Sequence, residues 1–183
     1  MTTRAATTAD LPAIADIYAH YVINSVASFE LEPPAADEWQ ARFAKVMAAG
    51  LPFLVVERED KAAGYAYCLP WKARPAYQGT VEDSIYLSPA AQGHGVGSAL
   101  LGQLLTESES RGFRQMIAVI GDSLSAGSIN LHRALGFTLS GTVKNVGYKH
   151  GRWLDTALMQ RELGEGARTD PEAGRYPDTL YKR

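Results

Sequence analysis

Residues 92–97 combine one glutamine with three glycines in a short turn between an apolar segment and a predicted helix; the sequence reads Gln-Gly-His-Gly-Val-Gly. The first backbone N–H groups of a helix have no partner inside the helix, and the helix dipole adds partial positive charge there. Glycines let the main chain approach a ligand without a Cβ in the way. The turn therefore predicts an anion site, with a pyrophosphate as the expected guest.

Two other phosphate-binding loops do not fit this turn. A P-loop needs a Gly-Lys-Ser/Thr sequence, and the turn contains no lysine. The dinucleotide fingerprint G-x-G-x-x-G needs a third glycine where Ser98 stands. A bare G-x-G is also common as a tight strand-to-helix connection, so the remaining sequence must decide its role.

A second candidate for chemistry is the loop at residues 71–77, which reads Trp-Lys-Ala-Arg-Pro-Ala-Tyr. Its two cations, Lys72 and Arg74, stand beside the aromatic residues Trp71 and Tyr77. Such a group can hold a carboxylate or a phosphinate, and arginine can do so with two parallel hydrogen bonds. The alternative is a loop with ordinary surface charges.

The periodicity of the sequence predicts the elements that position these residues. Three- and four-residue spacing predicts helices, and short apolar or alternating runs predict strands. In residues 81–87 the alternation places Val81, Asp83, Ile85 and Leu87 on one face, opposite Glu82, Ser84 and Tyr86. The order is βααββ–βα–βα–ββ, a mixed α/β domain, with helices at 9–23, 37–48, 97–111 and 125–135, and strands at 53–57, 63–69, 81–87, 115–120, 137–146 and 148–163.

Composition narrows the class of protein. Of 183 residues, 18 are basic and 20 acidic, giving a net charge of -2 that argues against binding nucleic acid through its phosphates. No apolar run reaches membrane-span length and the N-terminus lacks a secretory h-region, so we expect a cytoplasmic protein without a membrane partner. The one cysteine, Cys68, is expected in the core, and His20 and His150 have no metal-ligand spacing, so no metal is expected.

The chain is predicted to form a single domain over residues 1–163, followed by a tail. Residues 164–183 are polar and contain scattered glycine and proline. This composition is typical of a mobile C-terminal segment.

The turn at 92–97 matches the Q/R-x-x-G-x-G/A motif, and the chain thereby resembles the GNAT acetyltransferase superfamily. It also resembles one branch of that superfamily, the phosphinothricin and methionine sulfoximine acetyltransferases. The resemblance spans residues 4–163 and rests on the stretches RAATTADLPAI, SFELEPP, PWKARPAY, TVEDSIYLSP, AVIGDS, LHRALGF and YKHGRWLD. It implies the GNAT fold, a mixed and mostly antiparallel central sheet flanked by helices.

The resemblance implies that acetyl-CoA is the co-substrate and that an amine attacks it directly in a ternary complex. Glu82 is implied as the base that accepts the amine proton. His132, where many relatives have tyrosine, is implied as an acid for the coenzyme A sulfur or as a second base. The implied cofactor-binding residues are Tyr86, Leu87, Gln92, Gly93, His94, Gly95, Val96, Gly97, Ser98, Ser125 and Ser128.

The same resemblance implies a small amino-acid-like acceptor, such as phosphinothricin or methionine sulfoximine. The implied acceptor-binding residues are Phe29, Lys72, Arg74, Tyr77 and Glu82, with Glu30 beside Phe29. Ser125 and Gln78 depart from residues common in relatives, asparagine and arginine respectively. These departures leave one cofactor hydrogen bond and the choice of acceptor open.

A homodimer is also implied, with residues 148–155 as the candidate interface because Trp153 and Leu154 lie among charged residues. Trp153 could instead fold into its own subunit. Two other functions remain open: acetylation of another amine (a polyamine, an aminoglycoside or a protein N-terminus), or a non-catalytic acyl-CoA-binding module. The cations at 72 and 74 argue against polycationic acceptors, and a binding module would need neither Glu82 nor His132.

Overall fold

The computed structural model describes residues 1–171, which form a seven-stranded sheet with helices on both faces. The strands lie in the order β1-β2-β3-β4-β5-β7-β6. The strands are β1 (Thr2–Ala5), β2 (Phe53–Arg58), β3 (Lys61–Pro70), β4 (Thr80–Leu87), β5 (Gln115–Gly121), β6 (Thr138–Lys149) and β7 (Arg152–Glu162). The helices are α1 (Leu11–Asn24), α2 (Ala36–Ala48), α3 (Val96–Ser110) and α4 (Ala126–Ala134).

The sheet opens between its two central strands. β4 and β5 form the parallel pair, and their ladder ends at Asp83 opposite Ala118. β4 nevertheless stays paired with β3 as far as Leu87, and β5 stays paired with β7 as far as Gly121. The second halves of β4 and β5 therefore diverge, and the edges that face each other across the gap carry backbone groups outside these ladders.

Alternate residues of β4 face two different helix layers. Tyr86 packs edge-on against Tyr18 of α1 at 5.0 Å, so the face that also carries Glu82 lies under α1 and α2. On the opposite face, Asp83 contacts His132 of α4. Neighbouring residues of β4 thus face opposite sides of the sheet. The two sides are connected through the gap where β4 and β5 diverge.

The structure confirms the predicted fold class and the position of each predicted helix and strand to within a few residues. The first strand of the predicted order, for which the sequence pattern gave no residue range, is β1. Cys68 is buried, as expected, and its Sγ lies 3.4 Å from Ser108 Oγ of α3. Within the described part of the chain, no helix is long and apolar enough to cross a membrane.

The start of the predicted tail lies beside the sheet. Residues 164–169 form turns and bends, and the Arg114 guanidinium donates to the Gly166 carbonyl and the Thr169 hydroxyl. Residues 172–183 lie outside the described part of the chain, so the mobility of the tail stays a prediction.

Candidate active site

A cleft of about 1160 Å³ occupies the gap between β4 and β5. Its walls come from both layers of the protein: α1, the loop after it and α2 on one side, and α3 with α4 on the other. Thirteen residues proposed from the sequence line it: Phe29, Glu30, Glu82, Tyr86, Leu87, Gln92, Gly93, Gly95, Gly97, Ser98, Ser125, Ser128 and His132.

The glycine turn forms one end of this cleft. Gly93 and Gly95 both have φ of +76°, a conformation that side chains rarely adopt, and a Cβ on either would meet no atom within 4 Å. The first amide of α3 to find a partner on the helix is that of Ala99, which donates to the Gly95 carbonyl. Among the described residues, the amides before it have no backbone acceptor and no side-chain cap, so they are available to a pyrophosphate.

The turn is fixed by contacts with β4. The side-chain amide of Gln92 donates to the Tyr21 hydroxyl, which in turn donates to the Leu87 backbone carbonyl at 2.6 Å. A Cβ on Gly97 would lie 3.2 Å from Leu87 and Leu131 side-chain carbons, so glycine allows α3 to begin directly against the strand. Two of the predicted cofactor-binding residues lie outside the cleft lining: His94 is exposed, and the Val96 side chain is buried in the core.

Glu82 lies on the cleft wall that faces α1 and α2. Burial raises its pKa from 4.5 to about 7, and the negative charge of Asp83 adds to that rise, while the positive charge of Lys72 opposes it. A carboxyl with this pKa is about half ionised near neutral pH, which suits a group that accepts a proton.

His132 and Asp83 form a buried pair on the opposite face of the sheet. His132 Nδ1 lies 2.8 Å from the Ser128 carbonyl oxygen, which can only accept, so Nδ1 carries a proton. His132 Nε2 lies 3.1 Å from Asp83 Oδ2. Because Nδ1 is already protonated, a hydrogen bond between Nε2 and Oδ2 requires a second proton, shared by the imidazole and the carboxyl.

The surroundings of this pair favour the protonated imidazole. Burial lowers the pKa of His132, but the hydrogen bond and charge of Asp83 and the Ser128 carbonyl outweigh it, so the net effect is a raised pKa. Asp83 Oδ1 is buried without a hydrogen-bond partner at the cleft wall. Asp83 was not among the site residues predicted from the sequence, although a carboxylate on the otherwise apolar face of an alternating strand was a signal for it.

The loop between α1 and α2 forms the other wall of the cleft and is held by the β6–β7 hairpin. Phe29 packs beside Gly147, where a Cβ would lie 2.2 Å from the ring, and beside Gly121, where a Cβ would lie 3.0 Å from it. The buried Lys149 Nζ donates to the Ser28 carbonyl at 2.7 Å. Burial lowers the pKa of Lys149. The predicted aromatic wall is therefore fixed by contacts that the sequence pattern does not reveal.

One cation that sequence reasoning missed lies in this wall. Arg42 of α2 forms an ion pair with Glu30 at 2.8 Å, and both residues line the cleft. No short motif surrounds Arg42; the only signal was its place on a helix that follows the Phe29–Glu30 segment.

The cationic loop at residues 71–77 is outside the cleft lining. Lys72 Nζ lies over the Trp71 ring, 4.5 Å from its centroid, and Arg74 is exposed where the short 3₁₀ turn Pro75–Tyr77 begins. Tyr77 is 43% exposed. Of the three, Lys72 is close enough for its charge to act on Glu82. Across residues 1–171, no group of three or more His, Cys, Asp or Glu side chains could hold a metal ion.

Comparisons with known proteins agree with this arrangement. The model of the acetyltransferase (GNAT) family matches residues 14–137. The chain is 52% identical over 163 residues to the phosphinothricin N-acetyltransferase of Alcaligenes faecalis, covering 89% of this chain and 83% of the relative. It is 39% identical over 170 residues to the L-methionine sulfoximine/L-methionine sulfone acetyltransferase of Salmonella typhimurium, covering 93% and 99%.

A solved structure shares almost the whole fold. The phosphinothricin acetyltransferase of Sinorhizobium meliloti in complex with AcCoA matches with a TM-score of 0.94 and 51% sequence identity. The match covers 100% of this chain and 98% of that one.

Proposed function

This chain belongs to the GNAT family of acetyltransferases, and we propose that it acetylates the primary amine of a small amino-acid acceptor of the phosphinothricin or methionine sulfoximine type, with acetyl-CoA as the donor. The observation that carries the proposal is the position of Glu82, whose pKa is about 7, in a cleft that reaches from the glycine turn to the Phe29 wall. Relatives that act on these acceptors match the chain over most of its length.

The glycine turn and the open sheet edges supply the cofactor side of the proposal. Gly93, Gly95 and the first amides of α3 would hold the pyrophosphate, because open space and unpaired donors coincide there. The facing edges of β4 and β5 would pair with amide groups of the pantetheine arm, as an added strand does in a sheet. When bound, acetyl-CoA supplies the activated acetyl group.

Glu82 would accept the proton of the acceptor ammonium, directly or through water. Primary amines are mostly protonated at neutral pH and cannot attack a carbonyl carbon in that form. Because the pKa of Glu82 is about 7, the carboxylate is well populated at neutral pH and still basic enough to take a proton.

The Asp83–His132 pair would keep a proton on the opposite side of the same opening. Its shared proton can neutralise the leaving sulfur, and the second proton, which the nitrogen loses as it becomes an amide, passes to solvent, from which the pair is restored. Asp83 thereby joins His132 in the proposed chemistry, because the imidazole has both ring nitrogens engaged by Asp83 and Ser128.

A screen of acceptors tests the proposal. Purified protein is incubated with acetyl-CoA and phosphinothricin, methionine sulfoximine or methionine sulfone, and thiol release is followed; spermidine and a peptide with a free N-terminus serve as acceptors of the competing classes. We expect release with the amino-acid analogues and an acetylated product by mass spectrometry. Preference for spermidine or the peptide would refute the proposed acceptor class.

We further propose that the protein is a homodimer through the β6 edge of the sheet. β6 is a long edge strand, and its hairpin with β7 exposes Val146, Tyr148 and Trp153 by 54%, 59% and 63%. Exposed apolar edge strands are commonly covered by another chain. Trp153 is thus not folded into its own subunit, whereas the interface role predicted for Leu154 is wrong, because Leu154 is 1% exposed in the core.

A further inference from the structure

Arg42 is the only arginine or lysine among the described residues that line the cleft. Its guanidinium joins two carboxylates: Glu30, which also lines the cleft, and Glu38 one helical turn earlier on α2. The side chains of Arg42 and Glu30 are 31% and 35% exposed, so the ion pair is partly shielded from water yet open to the cleft. An incoming anion can therefore reach Arg42 from the cleft side.

Tyr67 is near both the Arg42–Glu30 ion pair and Glu82, the proposed base. Tyr67 of β3 stands opposite Ser84, and its neighbour Leu69 stands opposite Glu82, so the Tyr67 ring shares the sheet face of Glu82. Burial chiefly raises the pKa of Tyr67, and the charges of Arg42, Glu30 and Glu82 all reach its hydroxyl. Tyr67 also lines the cleft, so it is within electrostatic reach of both the proposed base and the ion pair.

The two cations of this region, Lys72 and Arg42, act on different groups. Lys72 acts on the Glu82 carboxyl, whereas the charge of Arg42 acts on Tyr67. An amino acid whose amine faces Glu82 would keep its α-carboxylate close to Glu82, where the charge of Lys72 also acts, since amine and carboxylate share one carbon. Its side chain would extend past Tyr67 toward Arg42.

We propose that Arg42 binds an anionic head group on the acceptor side chain, and that Glu30 occupies the guanidinium until the acceptor arrives. This inference rests on the proposed function and adds the acceptor's distal group to it. Replacing one oxyanion by another leaves the guanidinium paired, so the exchange avoids an uncompensated charge. Glu30, one third exposed, can turn toward water. The pair thereby favours acceptors with an anionic head, such as phosphinothricin, over those with a neutral head, such as methionine sulfone.

The test compares phosphinothricin with methionine sulfone, which has an uncharged head. The readout is the ratio of kcat/KM for the two acceptors. Arg42→Gln should lower the ratio by about 10- to 150-fold, the range for a lost hydrogen bond to a charged group, mainly through the KM for phosphinothricin. Glu30→Gln should raise the ratio by about 1.5- to 5-fold, because a competing partly exposed ion pair is removed.

Glu38→Gln is the matched control, because Glu38 pairs with the same guanidinium but does not line the cleft; it should leave the ratio unchanged. Equal losses for both acceptors in Arg42→Gln, or no rise of the ratio in Glu30→Gln, would overturn the inference while the proposed function stands. Thermal melting checks the fold, and Glu30→Gln decides alone if Arg42→Gln does not fold. A wild-type protein that acetylates neither amino acid would refute the proposed function itself.

Discussion

Replacing Glu82 by glutamine should make the enzyme slower and the protein more stable. The substitution keeps the shape of the side chain but removes the carboxylate that we propose as the base. At pH 7 we expect kcat to fall by about 10²–10⁴-fold, the usual contribution of a general base. The loss should shrink at higher pH, because the unprotonated fraction of the acceptor amine rises about tenfold per pH unit until the amine's own pKa.

The raised pKa fixes the sign of the effect on stability. Glu82 has a pKa of 4.5 ordinarily and about 7 in the folded protein, so folding favours its protonated form. That contribution is fully present below pH 4.5 and is lost as the pH rises through 7. The full difference corresponds to roughly 3 kcal/mol, and water at the open cleft reduces it, so Glu82→Gln should gain about 1–3 kcal/mol above pH 7 and little at pH 4.

Two measurements check this pair of effects. Thiol release from acetyl-CoA between pH 5.5 and 9 should give a wild-type kcat/KM that falls about tenfold per pH unit below about 7. Urea unfolding at pH 4 and pH 8 gives the stabilities. Glu59→Gln is the control, because Glu59 lies in a turn with 82% of its side chain exposed; it should change neither quantity. A slow Glu82→Gln variant that is no more stable than the wild type at pH 8 would refute the raised pKa.

The glycine turn, Asp83, the Phe29 wall and the β6–β7 hairpin each have a testable consequence. Gly95→Asp puts a Cβ and a negative charge where the phosphates would lie, so calorimetry should find severe loss of acetyl-CoA binding with an unchanged circular dichroism spectrum. Asp83→Asn removes a charge that raises the pKa of Glu82, so the acid limb of the pH profile should move to lower pH. Gly147→Ala should displace the Phe29 ring and raise the KM for the acceptor more than that for acetyl-CoA. Trp153→Asp should shift a dimer to monomer in light scattering at micromolar concentration, and a wild type that is already monomeric would defeat this prediction.

The sequence predicted the fold where its pattern is periodic or punctuated. Apolar residues recur every three or four positions in the helix at 11–24, and residues alternate in the strand at 80–87. A glycine marks the end of the helix at 96–110. The strand at 2–5 could not be bounded, because Thr-Thr-Arg-Ala has no apolar alternation and becomes a strand by pairing with β2. Leu154 was misjudged for a related reason: only the pairing of β7 decides which of two neighbouring residues faces the core.

The candidate site was predictable where it follows one segment of chain. Glu82 lies in the strand that leads to the glycine turn, and both line the cleft. Arg42 was not predictable, because its place depends on the angle at which α2 crosses the sheet. The orientation of the loop at residues 71–77 is likewise set by tertiary packing, and a single chain does not bring Arg74 or Tyr77 to the cleft lining.

The hydrogen bond from Lys149 to the Ser28 carbonyl has a consequence for the order of folding. The two residues are 121 positions apart, and His150 Nε2 lies near the Ser25 carbonyl across 125 positions. Closing so long a loop costs chain entropy before any contact repays it. During synthesis, α1 and the first hairpin can form early, but the acceptor wall cannot be fixed until the last hairpin has left the ribosome. A nascent chain that ends before residue 149 should therefore acquire the glycine turn without an ordered acceptor side.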